Sequence, residues 1–109
     1  MLQYQGKTYA TDKEGYLQQL SDWSEELAGV MATQDGLSLS KQHWEIIHFL
    51  RAYYQEFQVV PAMRVFTRVL ARKLGKEKSD TLYLYTLFPD GPVKQASKYA
   101  GLPKSTSCI

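Results

Sequence analysis

The chain has 109 residues, 44% of them hydrophobic and 13% aromatic, with a net charge of +2. That length and composition provide for one domain around one packed core and argue against disorder. The charge is too small to imply nucleic acid by itself, no apolar run approaches the roughly 20 residues of a membrane span, and a single cysteine cannot form an internal disulfide.

Taken in chain order, the first element is a short hairpin. Leu2 to Gln5 and Thr8 to Ala10 favour strands, and Gly6-Lys7 is a two-residue turn with glycine first. Two strands alone are marginal, so the hairpin must lie on helices. The opening Met1-Leu2-Gln3-Tyr4-Gln5 lacks the basic-then-apolar pattern of a signal peptide, and the chain reads as cytosolic. Glu14 to Gln19 is expected to form a single helical turn. Asp22-Trp23-Ser24-Glu25 resembles a capping box opening a helix to about Thr33.

Ser40 is the expected N-cap of a long helix over Lys41 to Phe57, with Leu39 and Trp44 spaced as a hydrophobic staple. Along it Trp44, Ile47, Leu50, Tyr54 and Phe57 recur at the core-facing period. Pro61 is placed to open a third helix that Gly75 closes. On that helix Val65, Phe66, Val69, Leu70 and Lys73 fall together, while Arg64, Arg68 and Arg72 form a separate stripe. Lys76-Glu77-Lys78 is a polar turn. Ser79 or Asp80 then caps a short aromatic helix through Tyr83, Leu84 and Tyr85 to Phe88. After the turn Pro89-Asp90-Gly91-Pro92 a last helix starts near Pro92. Gly101, Leu102 and Pro103 supply its C′ glycine, its hydrophobic contact and a proline stop.

The sequence thus describes a mainly α domain over residues 1–101, with a small N-terminal hairpin, followed by a C-terminal tail over 102–109. Cys108, the only cysteine, stands one residue from the end of that tail. Eight residues at 3.3–3.6 Å each can carry it roughly 25 Å from the helix end. A free thiol with an ordinary pKa near 8.5 is only a few per cent thiolate at pH 7. No histidine is close in sequence, and the terminal carboxylate opposes the help of Lys104. Cys108 therefore reads as a carrier activated by its partner rather than a self-activated nucleophile, or else as an incidental tail cysteine.

Conventional active-site chemistry is absent. His43 and His48 miss the i, i+4 spacing of a helical metal pair, and they read as a surface histidine near the helix start and a second one elsewhere. The acidic residues are scattered, with no pair suited to acid–base work. There is no glycine-rich phosphate loop and no serine elbow. No cofactor and no metal is expected. The arginine stripe is either a face for an acidic partner or RNA phosphates, or simply a solvated helix face. Lys94, Lys98 and Lys104 add a second basic group leading into the tail. Arg64, Arg68, Lys94, Lys98 and Lys104 are the candidate docking residues.

Several segments then carry a resemblance. They are Gly6-Lys7, Thr11 to Leu17, Trp23-Ser24-Glu25, Leu39 to Glu45, Tyr53 to Phe57, Pro61-Ala62-Met63-Arg64, Tyr83 to Pro92, and Gly101 to Lys104 with the penultimate Cys108. Together they resemble the DsrC/TusE family of small sulfur carriers, closest to its TusE branch, over nearly the whole chain. The resemblance implies a hairpin on an orthogonal helical bundle with a mobile C-terminal arm. It implies that Cys108 accepts sulfur as a persulfide from an upstream Tus complex. That sulfur would pass to the tRNA 2-thiouridylase that modifies the wobble uridine. The sulfite-reductase-associated branch carries a second cysteine in the last helix, where this chain has Ser97. Serine cannot close a disulfide, so single-cysteine relay is favoured over partnership with sulfite reductase. The family often has proline after the lysine matching Lys104, where Ser105 stands here. Two readings from other classes remain: a small helical nucleic-acid-binding module, and a redox regulator acting through mixed disulfides.

Overall fold

A computed structural model describes residues 2–13 and 15–103. Two short strands, β1 (Leu2–Tyr4) and β2 (Lys7–Tyr9), pair antiparallel with Leu2 opposite Tyr9 and Tyr4 opposite Lys7. The turn is Gln5-Gly6, one residue earlier than expected, and both residues have positive φ (50° and 79°). That is the geometry whose twist matches a hairpin, and it asks for glycine at the second position rather than the first.

Of the helical turn expected at Glu14 to Gln19, the described residues 15–19 form none. Glu14 lies outside the described residues. Around it Asp12 takes the backbone N–H of Tyr16 on its side chain at 3.0 Å, and Thr11 bridges to Leu17. An aspartate that captures a nearby N–H offers the backbone an alternative to a costly helical nucleus. The resulting loop presses Tyr16, 2% exposed, into the body, where its hydroxyl donates to the Lys94 carbonyl at 2.9 Å.

Helix α1 (Glu25–Gln34) starts at Ser24, whose hydroxyl accepts from Leu27 N–H. Ser24, not Asp22, is the cap, with Glu25 and Glu26 favourably placed in the first turn. Helix α2 (Lys41–Phe57) begins at Ser40 as expected, with a reciprocal capping box. Its third residue is His43, and its ring Nδ1 accepts from Ser40 N–H at 2.9 Å. The opposite ring nitrogen, Nε2, reaches the Leu87 carbonyl at 2.8 Å, and the ring packs edge-on against Phe88. His43 is therefore buried rather than on the surface, and it ties the start of α2 to Leu87 and Phe88. The buried stripe of α2 is His43, Ile46, Ile47 and Leu50, whereas Phe57 is 53% exposed because the last turn, residues 55–58, projects into solvent.

Helix α3 (Met63–Leu74) starts two residues after Pro61, because Pro61 is buried and Ala62 remains extended at ψ 157°. It buries Phe66 and Leu70, with Val69 half-buried, while Val65 and Lys73 face solvent instead of joining them. A one-turn helix, α4 (Lys76–Ser79), replaces the expected polar turn, and Lys78 grips both oxygens of Glu45 at 2.7 Å. Asp80 caps α5 (Thr81–Leu87) by accepting from Tyr83 N–H. Helix α6 (Pro92–Tyr99) has proline in its first turn.

Although α6 is short, it packs against α1, α2, α3 and α5. It buries Pro92, Val93, Gln95, Ala96, Ser97 and Tyr99. A helix covered nearly all round sits at the centre of its domain. The core collects Leu27, Met31, Ile47, Leu50, Phe66, Leu84 and Phe88 around it. No helix among the described residues is long and apolar enough to cross a membrane.

Candidate functional site

The central helix leads directly to the segment that bears the cysteine, and the way it ends defines the site. Gly101 takes φ +73°, its N–H donates to the Lys98 carbonyl at 3.2 Å, and Leu102 N–H donates to the Ser97 carbonyl at 3.0 Å. These two bonds and the buried Leu102 form the glycine-terminated stop read from the sequence.

The stop is clamped from outside. Trp23 Nε1 donates to the Tyr99 carbonyl at 2.7 Å, and Arg51 Nη1 donates to the Ala100 carbonyl at 2.6 Å. The last carbonyls of a helix need such partners. The Arg51 guanidinium also lies over the Trp23 ring, 3.8 Å from its centroid. This is a cation–π contact that strengthens as water is removed. Burial lowers the pKa of Arg51 from its ordinary value. Arg51, Tyr54, Gln55, Gln58 and Leu102 line a hollow of about 210 Å³ beside the clamp. Pro103, the next residue, is exposed. Lys104 and Cys108 lie outside the described residues.

Ser97 sits one turn before the clamp. It is fully buried, and its Oγ has no hydrogen-bond partner among the described residues. The other predicted residues fall into two groups. Arg64 and Arg68 stand exposed on α3 with Arg72, as the stripe requires. Lys94 is exposed on α6, but Lys98 is drawn inward to Asp35 at 3.0 Å with its side chain 19% exposed. No hydrogen bond or ion pair joins the two groups among the described residues. His48 pairs with Glu25 at 3.4 Å on the surface, remote from any ligand set. No group of residues suited to a metal ion is present among those described.

Asp35 also accepts from the Tyr99 hydroxyl at 2.8 Å, and Tyr99 in turn accepts from Gln95 Nε2 at 2.9 Å. Burial, more than any neighbour, holds the Tyr99 phenol well above its ordinary value of 10.0. The folded state therefore keeps this proton where the unfolded chain would release it. The resulting stability is fully present below pH 10 and is lost as pH rises beyond it. Urea unfolding at pH 8 and pH 11 should show the loss, and Tyr99→Phe should show a smaller loss over the same interval. Equal losses in both chains would remove Tyr99 from the account.

Trp23, Arg51 and the Tyr99 network escaped the sequence reading. For Arg51 a signal existed: it lies four residues after Ile47 and three before Tyr54, so it is a cation on the edge of an apolar stripe. Trp23 gave none beyond its neighbour Ser24, because its partner is 76 residues away.

Residues 3–109 match the family model described as DsrC like protein. Proteins called sulfurtransferase TusE from Yersinia pestis and Escherichia coli K12 are 51% and 52% identical over 109 residues, covering the whole of both chains. The solution structure of Allochromatium vinosum DsrC is 55% identical with a TM-score of 0.90, covering 99% of this chain and 96% of that one. The crystal structure of the oxidized γ-subunit of dissimilatory sulfite reductase from Archaeoglobus fulgidus is 35% identical with a TM-score of 0.84, covering 99% and 98%. The chain belongs to the DsrC-like family. Its end-to-end similarity to proteins called sulfurtransferases makes it a sulfurtransferase with a part in a sulfur relay.

Proposed function

We propose that Cys108 is the carrier atom of this relay. It takes sulfur from an upstream Tus complex and gives it to the tRNA 2-thiouridylase for the wobble uridine. In the first step the Cys108 thiolate attacks the outer sulfur of a donor cysteine persulfide. One sulfur–sulfur bond forms on Cys108 as the donor's breaks, and the donor leaves as a thiolate. In the second step an acceptor thiolate attacks the outer sulfur now on Cys108, and Cys108 leaves as a thiolate. No net oxidant is needed, and the rate follows thiolate fraction and access.

The observation that supports this reading best is the buried Ser97 one turn before the clamp. Overall identity does not separate the two kinds of relative, since it is 51–52% to proteins called TusE and 55% to one called DsrC. Ser97 supports the single-cysteine reading, because a hydroxyl there cannot close a disulfide onto Cys108. With Leu102 held in the core, five residues, or six Cα steps, separate the last buried residue among those described from the thiol. The reach is then roughly 20 Å, so donor and acceptor must both come close to the clamp. Arg64, Arg68, Lys94 and Lys104 are the proposed docking residues. Lys98, held by Asp35, contributes least.

The test is reconstitution from purified donor complex, this chain, thiouridylase and tRNA. 2-Thiouridine should accumulate only when the chain is included. Thiolation at the same rate without it would end the proposal.

A further inference from the structure

Helix α3 carries Arg64, Arg68, Arg72 and Lys73 and no acidic residue. At the helical period Arg64, Val65, Arg68 and Arg72 fall within an arc of about 100°, and all four are exposed. Elsewhere cations have found carboxylates, as in Lys78 with Glu45 at 2.7 Å and Lys98 with Asp35 at 3.0 Å. The three arginines have no ion pair among the described residues.

Large apolar groups are exposed on this helix and in the segment of chain just before it. Phe57 and Val59, at the corner leading into α3, are 53% and 54% exposed, and Val65 on the arginine face is 37% exposed. Arginine beside aromatic and aliphatic surface is the composition of a protein interface, whereas a phosphate backbone asks for charge alone.

We infer that the outer face of α3, with Phe57 and Val59, seats an acidic protein surface that also offers an apolar patch. Resting on the relay reading, the inference assigns that surface to the sulfur donor. The acceptor must hold tRNA phosphates, so its own basic groups near the transfer point would repel an arginine face.

The experiment titrates the full chain with the purified sulfur-donor complex at low and high salt. It follows loading of Cys108 by intact mass in the same samples. The R64E/R68E/R72E variant should raise Kd at least about tenfold and flatten its salt dependence. Phe57→Ser should weaken binding while leaving the salt dependence intact. Circular dichroism melting confirms folding, and R64Q/R68Q/R72Q replaces the charge reversal if that variant unfolds.

An unchanged Kd in the charge variants overturns the inference, as does a parent chain that does not bind the donor. Two other results overturn it by naming a different occupant. In one, tRNA binding is lost while donor binding is kept. In the other, a dimer of the parent chain dissociates in the variant. Arginine-dependent binding without sulfur on Cys108 would leave the seat standing and remove the relay. Equal loading of parent and variant with equal Kd would do the reverse.

Discussion

A Cys108→Ser chain is expected to fold as its parent does and to take up no sulfur at all from a loaded donor. The transfer makes a sulfur–sulfur bond on the accepting residue. Cys108 is the only cysteine, so no other side chain can make that bond. Stability is expected to change by no more than about 0.5 kcal/mol. Among the described residues the last buried ones, Ala100 to Leu102, come before Cys108. Intact mass after incubation with donor, read beside a thermal melt, checks both halves. Gain of a sulfur atom by the serine chain would show that Cys108 is not the carrier.

The largest effect on stability is expected from Gly101→Ala. The residue sits at φ +73°, and a Cβ there would lie 2.5 Å from Trp23 Cδ1 and 2.8 Å from Cβ and Cγ of the same side chain. The backbone conformation alone costs about 1 kcal/mol for a residue other than glycine. Trp23 cannot retreat cheaply, because its indole N–H holds the Tyr99 carbonyl and Arg51 lies on its face. The sum should be about 3–5 kcal/mol, and each kcal/mol lowers the melting temperature by roughly 4–8 °C in a domain of this size. Gly36→Ala is the control. Gly36 has φ +77° and nothing within 4 Å of the added carbon, so only the backbone cost applies. If the two variants melt together, the contact with Trp23 contributes nothing.

What the sequence made legible was local. Ser40, Asp80 and Gly101 announce helix ends through bonds that span only a few residues. The arginine stripe follows from the helical period alone. Errors arose where a distant partner decides. Asp22 was expected to cap α1, but Ser24 does, with Trp23 turned inward to Tyr99. His43 read as a surface residue because its partners, Leu87 and Phe88, come from another helix. Phe57 fits the apolar period of α2, but the helix outruns the body that would cover it. The place of Cys108 as sole thiol was legible at once. The clamp at the root of its segment was not, since Arg51 and Trp23 meet Ala100 and Tyr99 only in three dimensions.

The clamp also bears on the order of folding. It joins Trp23 to a residue 76 positions away and Arg51 to one 49 positions away. Closing loops of that length costs entropy that only an assembled core repays, so such contacts form late. During synthesis the clamp cannot close until α6 has been made, because Tyr99 is its last residue and Ala100 its C-cap. A truncated or half-folded chain therefore has no fixed point from which to present a thiol. Completion of the fold and readiness to carry sulfur become a single event.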